Sequence, residues 1–265
     1  MNIRALFIDM DGTLLTSSNE ISQRNAKAIN KLSNQGVKVF LATGRQYEIT
    51  APYHRLLNLK TPMICLNGAS LHDGFTGRVV QMNPVVLDEA HFHQVTNENT
   101  CNVVMHTTEG LYCNSTSKVI DEWTRESKIP PRYIGDLRHA DYRNVLKYNI
   151  MTGYHGSHMS HLFSDEADVI DWKNGFEIVA PGVSKWATIQ MLIRAFGIHP
   201  EETAAIGDGP NDIQMLRHAG FSAAMANAGQ ELKAAADVTT GHHEQDGLAE
   251  FIEKHLVRSF TATKT

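Results

Sequence analysis

The sequence predicts an α/β fold: a parallel sheet covered by helices on both faces, with a second α+β unit inserted into it. Three observations carry this. Short, nearly continuous apolar runs (Ile3–Ile8, Val37–Ala42, Met63–Leu66, Thr203–Ile206 and Phe221–Met225) alternate with amphipathic helical stretches, as strands buried on both sides require. From about residue 83 to residue 182 polar and aromatic residues become more frequent, and the strands read as exposed on one side. The first apolar run, FIDMDGTLL, stops on two carboxylates, Asp9 and Asp11, spaced so that both side chains return to one face.

After the first strand, Ser22 caps a helix whose apolar face is Ala26, Ile29 and Leu32, and Gly36 supplies its left-handed exit. In the inserted stretch helices are expected at Leu87–Thr96, Lys118–Lys128 and around His158–Leu162, with strands near Asn102–His106, Leu111–Cys113 and Leu146–Thr152. Asn174-Gly175, between VIDWK and FEIVA, signals a hairpin. A further helix begins at Ser184, carries Trp186, Ile189, Ile193 and Phe196 on one stripe and ends before Gly197. Residues 1–82 and 183–265 are thus expected to form one domain and residues 83–182 another, and the tail RSFTATKT is expected to fray.

With 265 residues, 42% of them hydrophobic and 20% charged, the chain can bury a real core. A net charge of −5 without a long block of like charges argues against nucleic acid or an anionic membrane as partner, so a phosphate-bearing ligand must be met by local positive charge. Cys65, Cys101 and Cys113 are odd in number and lack CxxC spacing, which suits a reducing compartment. With no signal-peptide pattern and no apolar run of membrane-spanning length, a cytoplasmic protein is expected.

Four short stretches fall at carboxyl ends of strands or at the helix starts beside them, where open α/β sheets bind ligands. They are DMDGT with Asp9 and Asp11, LATGR with Thr43 and Gly44, GVSKW with Lys185, and GDGPND with Asp208, Asn211 and Asp212. Alone, each also reads as a turn or a solvated side chain. Together and in this order they resemble the haloacid dehalogenase superfamily of phosphohydrolases: DMDGT matches DxDGT, Thr43 the second-strand Ser/Thr, Lys185 the third-motif lysine and GDGPND the GDxxND. The insertion, with Asn67–Ala69, resembles the Cof-type subgroup, which carries a large α/β cap on a Rossmann-like core. LNLKTPMICLNGASLHD and VVMHTTEGLY are similar to a branch whose activity includes pyridoxal phosphate hydrolysis. Trp186 stands where those relatives usually have glycine.

Asp9, Asp208 and a phosphate dianion brought within about 4 Å would repel by roughly 4 kcal/mol per pair at an effective dielectric of about 20, so a cation is required. Hard oxygens without a nearby histidine or thiolate favour Mg2+ over Zn2+. The resemblance implies that Asp9, the backbone carbonyl of Asp11 and Asp208 hold Mg2+, and that Asp9 attacks phosphorus to give an aspartyl phosphate. It further implies that Asp11 serves as acid and then base, that Thr43, Gly44 and Lys185 bind the phosphoryl group, that Asn211 contacts phosphate or a metal-bound water, and that Asp212 orients Lys185 or the metal ligands. Asn67 and Arg45 are weaker candidates. The expected activity is a phosphatase for a small phosphorylated metabolite; a phosphomutase or phosphotransferase with the same nucleophile, and a silent binding protein, are the alternatives. His155, His158 and His161 share one side of a helical spacing but lack a partner acid with zinc-site spacing.

Overall fold

In the computed structural model, which describes residues 2–98, 101–152 and 157–257, the strands in chain order are β1 (Ala5–Ile8), β2 (Lys38–Leu41), β3 (Met63–Cys65), β4 (Ser70–His72), β5 (Val79–Met82), β6 (Asn102–Thr107), β7 (Gly110–Cys113), β8 (Tyr133–Ile134), β9 (Val145–Met151), β10 (Asp168–Trp172), β11 (Gly175–Val179), β12 (Thr203–Gly207), β13 (Phe221–Ala224) and β14 (Val238–Thr239). The α-helices are α1 (Gln23–Asn34), α2 (Tyr47–Leu56), α3 (Glu89–Glu98), α4 (Lys118–Ser127), α5 (Ser157–Ser160), α6 (Lys185–Ala195), α7 (Ile213–His218), α8 (Gln230–Ala235) and α9 (Gly247–Phe251). Two compact units divide the chain, one of Met1–Thr43, Tyr53–Pro62 and Ile189–Thr265, the other of Gly44–Pro52 and Met63–Thr188.

The first unit holds a five-stranded, all-parallel sheet in the order β14-β13-β12-β1-β2. All four residues of β1 are buried, as an apolar run in a sheet covered on both faces must be. Ser22 caps α1 through its hydroxyl, which accepts the Asn25 N–H at 3.0 Å, and Ile29 and Leu32 are fully buried. Gly36 leaves the helix at φ 89° as expected. Because β1 lies between β2 and β12, the chain order reverses beside it, and the crevice at the carboxyl ends of β1 and β12 is the switch point of the sheet.

The second unit is built on a six-stranded sheet, β10-β11-β9-β6-β7-β8, antiparallel except for the β7–β8 pair. Alternation sorts its residues. Val103, Met105, Tyr148, Ile150, Phe176 and Ile178 join Phe92 and Val95 of α3 in one core, whereas His106, Lys147, Asn149 and Glu177 share the opposite face. The hairpin expected at Asn174-Gly175 forms one residue earlier, with Lys173-Asn174 as its turn and Gly175 inside β11. A Cβ on Gly175 would lie 2.1 Å from the Ile150 carbonyl oxygen, so the glycine is needed for strand packing.

Met63–Leu66 does not extend the parallel sheet. Leu66, Asn67 and Gly68 all adopt positive φ and turn the chain back after Cys65, so β3 pairs antiparallel with β4 in a separate sheet, β3-β4-β5. Cys65, Cys101 and Cys113 are buried free thiols. No helix among the described residues is long and apolar enough to cross a membrane. His155 and the tail Arg258–Thr265 lie outside the described residues, as does the side chain of His158.

Candidate active site

Asp9 follows β1 directly and extends its ladder, donating its N–H to the Ile206 carbonyl of β12 at 3.1 Å. Its side chain is 4% exposed. The chain then turns over Met10–Leu14, with Asp11 extended and exposed and Gly12 left-handed at φ 67°. Glycine is obligatory there on two counts: the positive φ disfavours a side chain, and a Cβ would stand 2.2 Å from Asp208 Oδ2.

Asp208 follows β12, the neighbour of β1, so the two carboxylates occupy the two lips of the switch-point crevice. Carboxylate oxygens of Asp9, Asp208 and Asp212 lie within 4.8 Å of one another. Asp212 is fully buried and closes the loop, accepting the N–H groups of Asp208 and Gly209 on Oδ2, both at 3.0 Å. Gly207 makes room for it, since a Cβ at that position would stand 2.4 Å from the Asp212 carboxyl carbon. Asp212 was expected to orient Lys185 or the metal ligands; its carboxylate holds the loop after β12 through the Asp208 and Gly209 N–H groups and belongs to the acidic cluster.

At a separation of 4.8 Å two carboxylates repel by at least ~3 kcal/mol at an effective dielectric of about 20, and two members of this cluster are almost entirely withdrawn from water. All donors are hard oxygens, and the absence of a Cβ at position 12 lets the Asp208 carboxylate pack directly against the loop that follows β1. The residues therefore fit a divalent cation of the Mg2+ or Ca2+ type and lack the nitrogen or sulfur ligands of a zinc site.

Asn227 supplies a contact that sequence reasoning missed. Its amide nitrogen lies 2.9 Å from both Asp208 Oδ2 and the Gly12 carbonyl oxygen, joining the loops that follow β1 and β12. His243 in turn donates its N–H to Asn227 Oδ1 at 3.3 Å. The available signal was positional: AMANA, with Asn227 at its fourth residue, follows another buried parallel strand, β13. Thr43, fully buried just past β2, and the half-buried Asn211 complete the candidate residues of the first unit.

The remaining candidates belong to the second unit. Lys185 opens α6 and is 1% exposed, and Trp186 beside it is 7% exposed, so the indole that replaces the usual glycine is packed away from solvent. The Gly44 carbonyl accepts Lys147 Nζ at 2.8 Å, and Lys147 also pairs with Glu177 at 2.7 Å. Glu177 further accepts the side-chain amides of Asn67 at 2.5 Å and Asn149 at 2.7 Å. Asn67 is thus held by a buried carboxylate, and a Cβ on Gly44 would stand 3.1 Å from its Oδ1. Arg45 pairs with Glu126 at 2.8 Å, with both side chains mostly covered.

A family model described as haloacid dehalogenase-like hydrolase matches residues 6–252 of the chain. Similar curated proteins include the pyridoxal phosphate phosphatase YbhA of Escherichia coli (strain K12), 28% identical over 273 residues that cover 97% of this chain and 100% of that protein. Another is the 5-amino-6-(5-phospho-D-ribitylamino)uracil phosphatase YitU of Bacillus subtilis (strain 168), 28% identical with coverage of 94% and 96%. Among solved structures, a haloacid dehalogenase-like hydrolase from Bacteroides thetaiotaomicron superposes with a TM-score of 0.82 at 24% identity, covering 95% of this chain and 98% of that one.

Proposed function

Because the chain belongs to the haloacid dehalogenase-like hydrolase family, we propose that it is a Mg2+-dependent phosphatase that hydrolyses a small phosphorylated metabolite through an aspartyl phosphate on Asp9. The observation that carries this reading is the convergence of Asp9, Asp208 and Asp212 at the ends of adjacent parallel strands. Asp9, Asp208 and the Asp11 carbonyl would hold the ion, which would offset the repulsion between these acids and a phosphate and polarise the phosphoryl oxygens.

Asp9 is the nucleophile: one carboxylate oxygen attacks phosphorus, the bond to the leaving oxygen breaks, and one hard hydrolysis becomes two easier steps. Asp11, exposed beside the left-handed Gly12, gives a proton to the leaving oxygen and then takes one from the water that opens the acyl phosphate. Thr43, Gly44, Lys185 and Asn211 bind the phosphoryl oxygens, as the family resemblance assigns them. Asp212 keeps the loop after β12 in place by tying down the N–H groups of Asp208 and Gly209.

Residues 83–182 act as the specificity domain. Pyridoxal phosphate and 5-amino-6-(5-phospho-D-ribitylamino)uracil are the first substrates to test, because YbhA and YitU are named for them, with sugar phosphates beside them in the panel. The three buried free thiols support a cytoplasmic location.

The test is orthophosphate release across such a substrate panel, with and without chelator, for the native chain and Asp9→Asn. Activity lost in EDTA, restored by Mg2+ and absent from folded Asp9→Asn is expected. Undiminished turnover in chelator would remove the metal, and undiminished turnover by Asp9→Asn would remove the covalent step.

A further inference from the structure

Gly44 and Arg45 follow Thr43 in the LATGR stretch, and the boundary between the two units falls just before them, since Gly44–Pro52 clusters with the second. Within that unit three contacts hold this dipeptide. The Gly44 carbonyl accepts Lys147 Nζ of β9 at 2.8 Å, the Arg45 carbonyl accepts the Leu66 N–H at 3.0 Å, and the Arg45 guanidinium meets Glu126 of α4 at 2.8 Å.

Position 44 has two conflicting needs. A Cβ there would crowd Asn67 Oδ1, which favours glycine, yet glycine imposes little backbone preference of its own. Its orientation must come from a partner. A peptide is planar, so anchoring the Gly44 carbonyl also fixes the plane of the Gly44–Arg45 bond, which is trans.

Lys147 is the partner that does this, and stability alone does not account for it. It is 2% exposed, and its counter-ion Glu177 is 7% exposed. Withdrawing both charges from water is costly, and a well-packed apolar pair of similar volume often serves stability as well or better. What an apolar pair lacks is direction. The Lys147 ammonium gives one N–H to Glu177 Oε1 at 2.7 Å and another to the Gly44 carbonyl, while Asn67 and Asn149 donate their amides to Glu177 and keep the carboxylate in place. A charged donor held at a fixed angle orients a carbonyl more firmly than a neutral one. Buried and paired with Glu177, Lys147 is not itself the cation that meets phosphate.

We propose that Lys147 is a positioning residue for phosphate binding: it orients the backbone at Gly44 before a phosphoryl oxygen arrives, with Glu177 as the counter-ion that keeps the ammonium aimed. The inference rests on the phosphatase reading above and on Gly44 as a phosphate-binding residue.

The experiment compares the full-length native chain with Lys147→Met and with Lys147→Met combined with Glu177→Leu, which also removes the stranded carboxylate, at a temperature where all three are folded. Glycine labelled with 13C at the carbonyl and 15N-labelled arginine pick out the Gly44–Arg45 peptide by NMR, together with Gly77–Arg78. In the native chain, orthophosphate with Mg2+ should shift the Gly44 carbonyl resonance. In the double variant that resonance should already have moved without phosphate, and orthophosphate should bind at least about tenfold more weakly, the worth of a hydrogen bond to a charged group. Mg2+ affinity in the absence of phosphate should stay at the native value, whereas kcat/KM for phosphate release should fall with the phosphate affinity. Native orthophosphate affinity in the double variant, or a Gly44 resonance that ignores both phosphate and the substitution, would overturn this inference and leave the phosphatase reading standing. A native chain that neither binds nor releases orthophosphate would overturn both. Should the variants fail to fold, the 15Nζ resonance of Lys147 in the native chain decides: it should move with the Gly44 carbonyl as orthophosphate binds, and a fixed resonance would overturn the inference.

Discussion

Gly12→Ala tests the acidic cluster most directly, and Gly36→Ala is its internal control. Both glycines have positive φ, 67° and 89°, so alanine at either position incurs a similar left-handed backbone cost of about 1–2 kcal/mol. They differ in what the new methyl group meets. At Gly36 nothing lies within 4 Å, whereas at Gly12 the Cβ would stand 2.2 Å from Asp208 Oδ2, inside the 3.0 Å that real Cβ atoms essentially never breach. Asp208 would have to retreat by nearly an ångström, loosening its 2.9 Å bond to Asn227. Displacements of about 1 Å in a catalytic constellation can cost roughly a hundredfold in rate, and Mg2+ tolerates distorted coordination poorly. Urea unfolding should show the backbone loss in both variants and a further loss in Gly12→Ala from the displaced Asp208. Calorimetric Mg2+ titration and phosphate release should show about a hundredfold loss in Gly12→Ala and none in Gly36→Ala. Equal Mg2+ affinity and turnover in the two variants would refute the idea that Asp208 needs the space beside Gly12.

Three further outcomes are expected. Asn227→Ala should weaken Mg2+ binding by about 10–100-fold while leaving a folded protein, because it removes the shared support of Asp208 and the Gly12 carbonyl; calorimetry reads this. Lys147→Met should destabilise the chain by about 3–5 kcal/mol in denaturant unfolding, since it strands Glu177 as a buried charge, and Lys147→Met with Glu177→Leu should recover part of that loss. Burial holds His106 neutral in the folded state, so the unfolded chain binds the extra proton first. Unfolding free energy should then fall as pH drops below about 6.5, by up to ~1.4 kcal/mol per pH unit for this one group, and the slope should be shallower in His106→Phe.

Much of the first unit was legible because its strands are continuous apolar runs that end on chemically conspicuous residues. Asp9 and Asp208 could be paired from the sequence because parallel sheets gather carboxyl ends along one edge, and β1 and β12 are indeed neighbours. Asn227 escaped notice because an asparagine after a strand is an ordinary turn residue, and only a fold that brings residues 12, 208 and 227 together makes it a bridge. The direction of Met63–Cys65 was not legible either. It depends on three successive positive-φ residues, the first of which, Leu66, carries a side chain that disfavours that conformation. The Lys147–Glu177 pair was invisible for a different reason: on alternating strands one charge on an inward face looks like any solvated residue until the strand pairing is known.

The buried thiols have a practical corollary. Removal from water pushes the pKa of Cys65 and of Cys113 to about 12, so the reactive thiolate is essentially absent from the native chain at neutral pH. One lies on a strand of the small three-stranded sheet and the other on the six-stranded sheet, so alkylation at each position clocks how often its own sheet opens. Mass spectrometry after timed exposure to iodoacetamide would convert these silent side chains into two gauges of breathing motion, with no label added to the molecule.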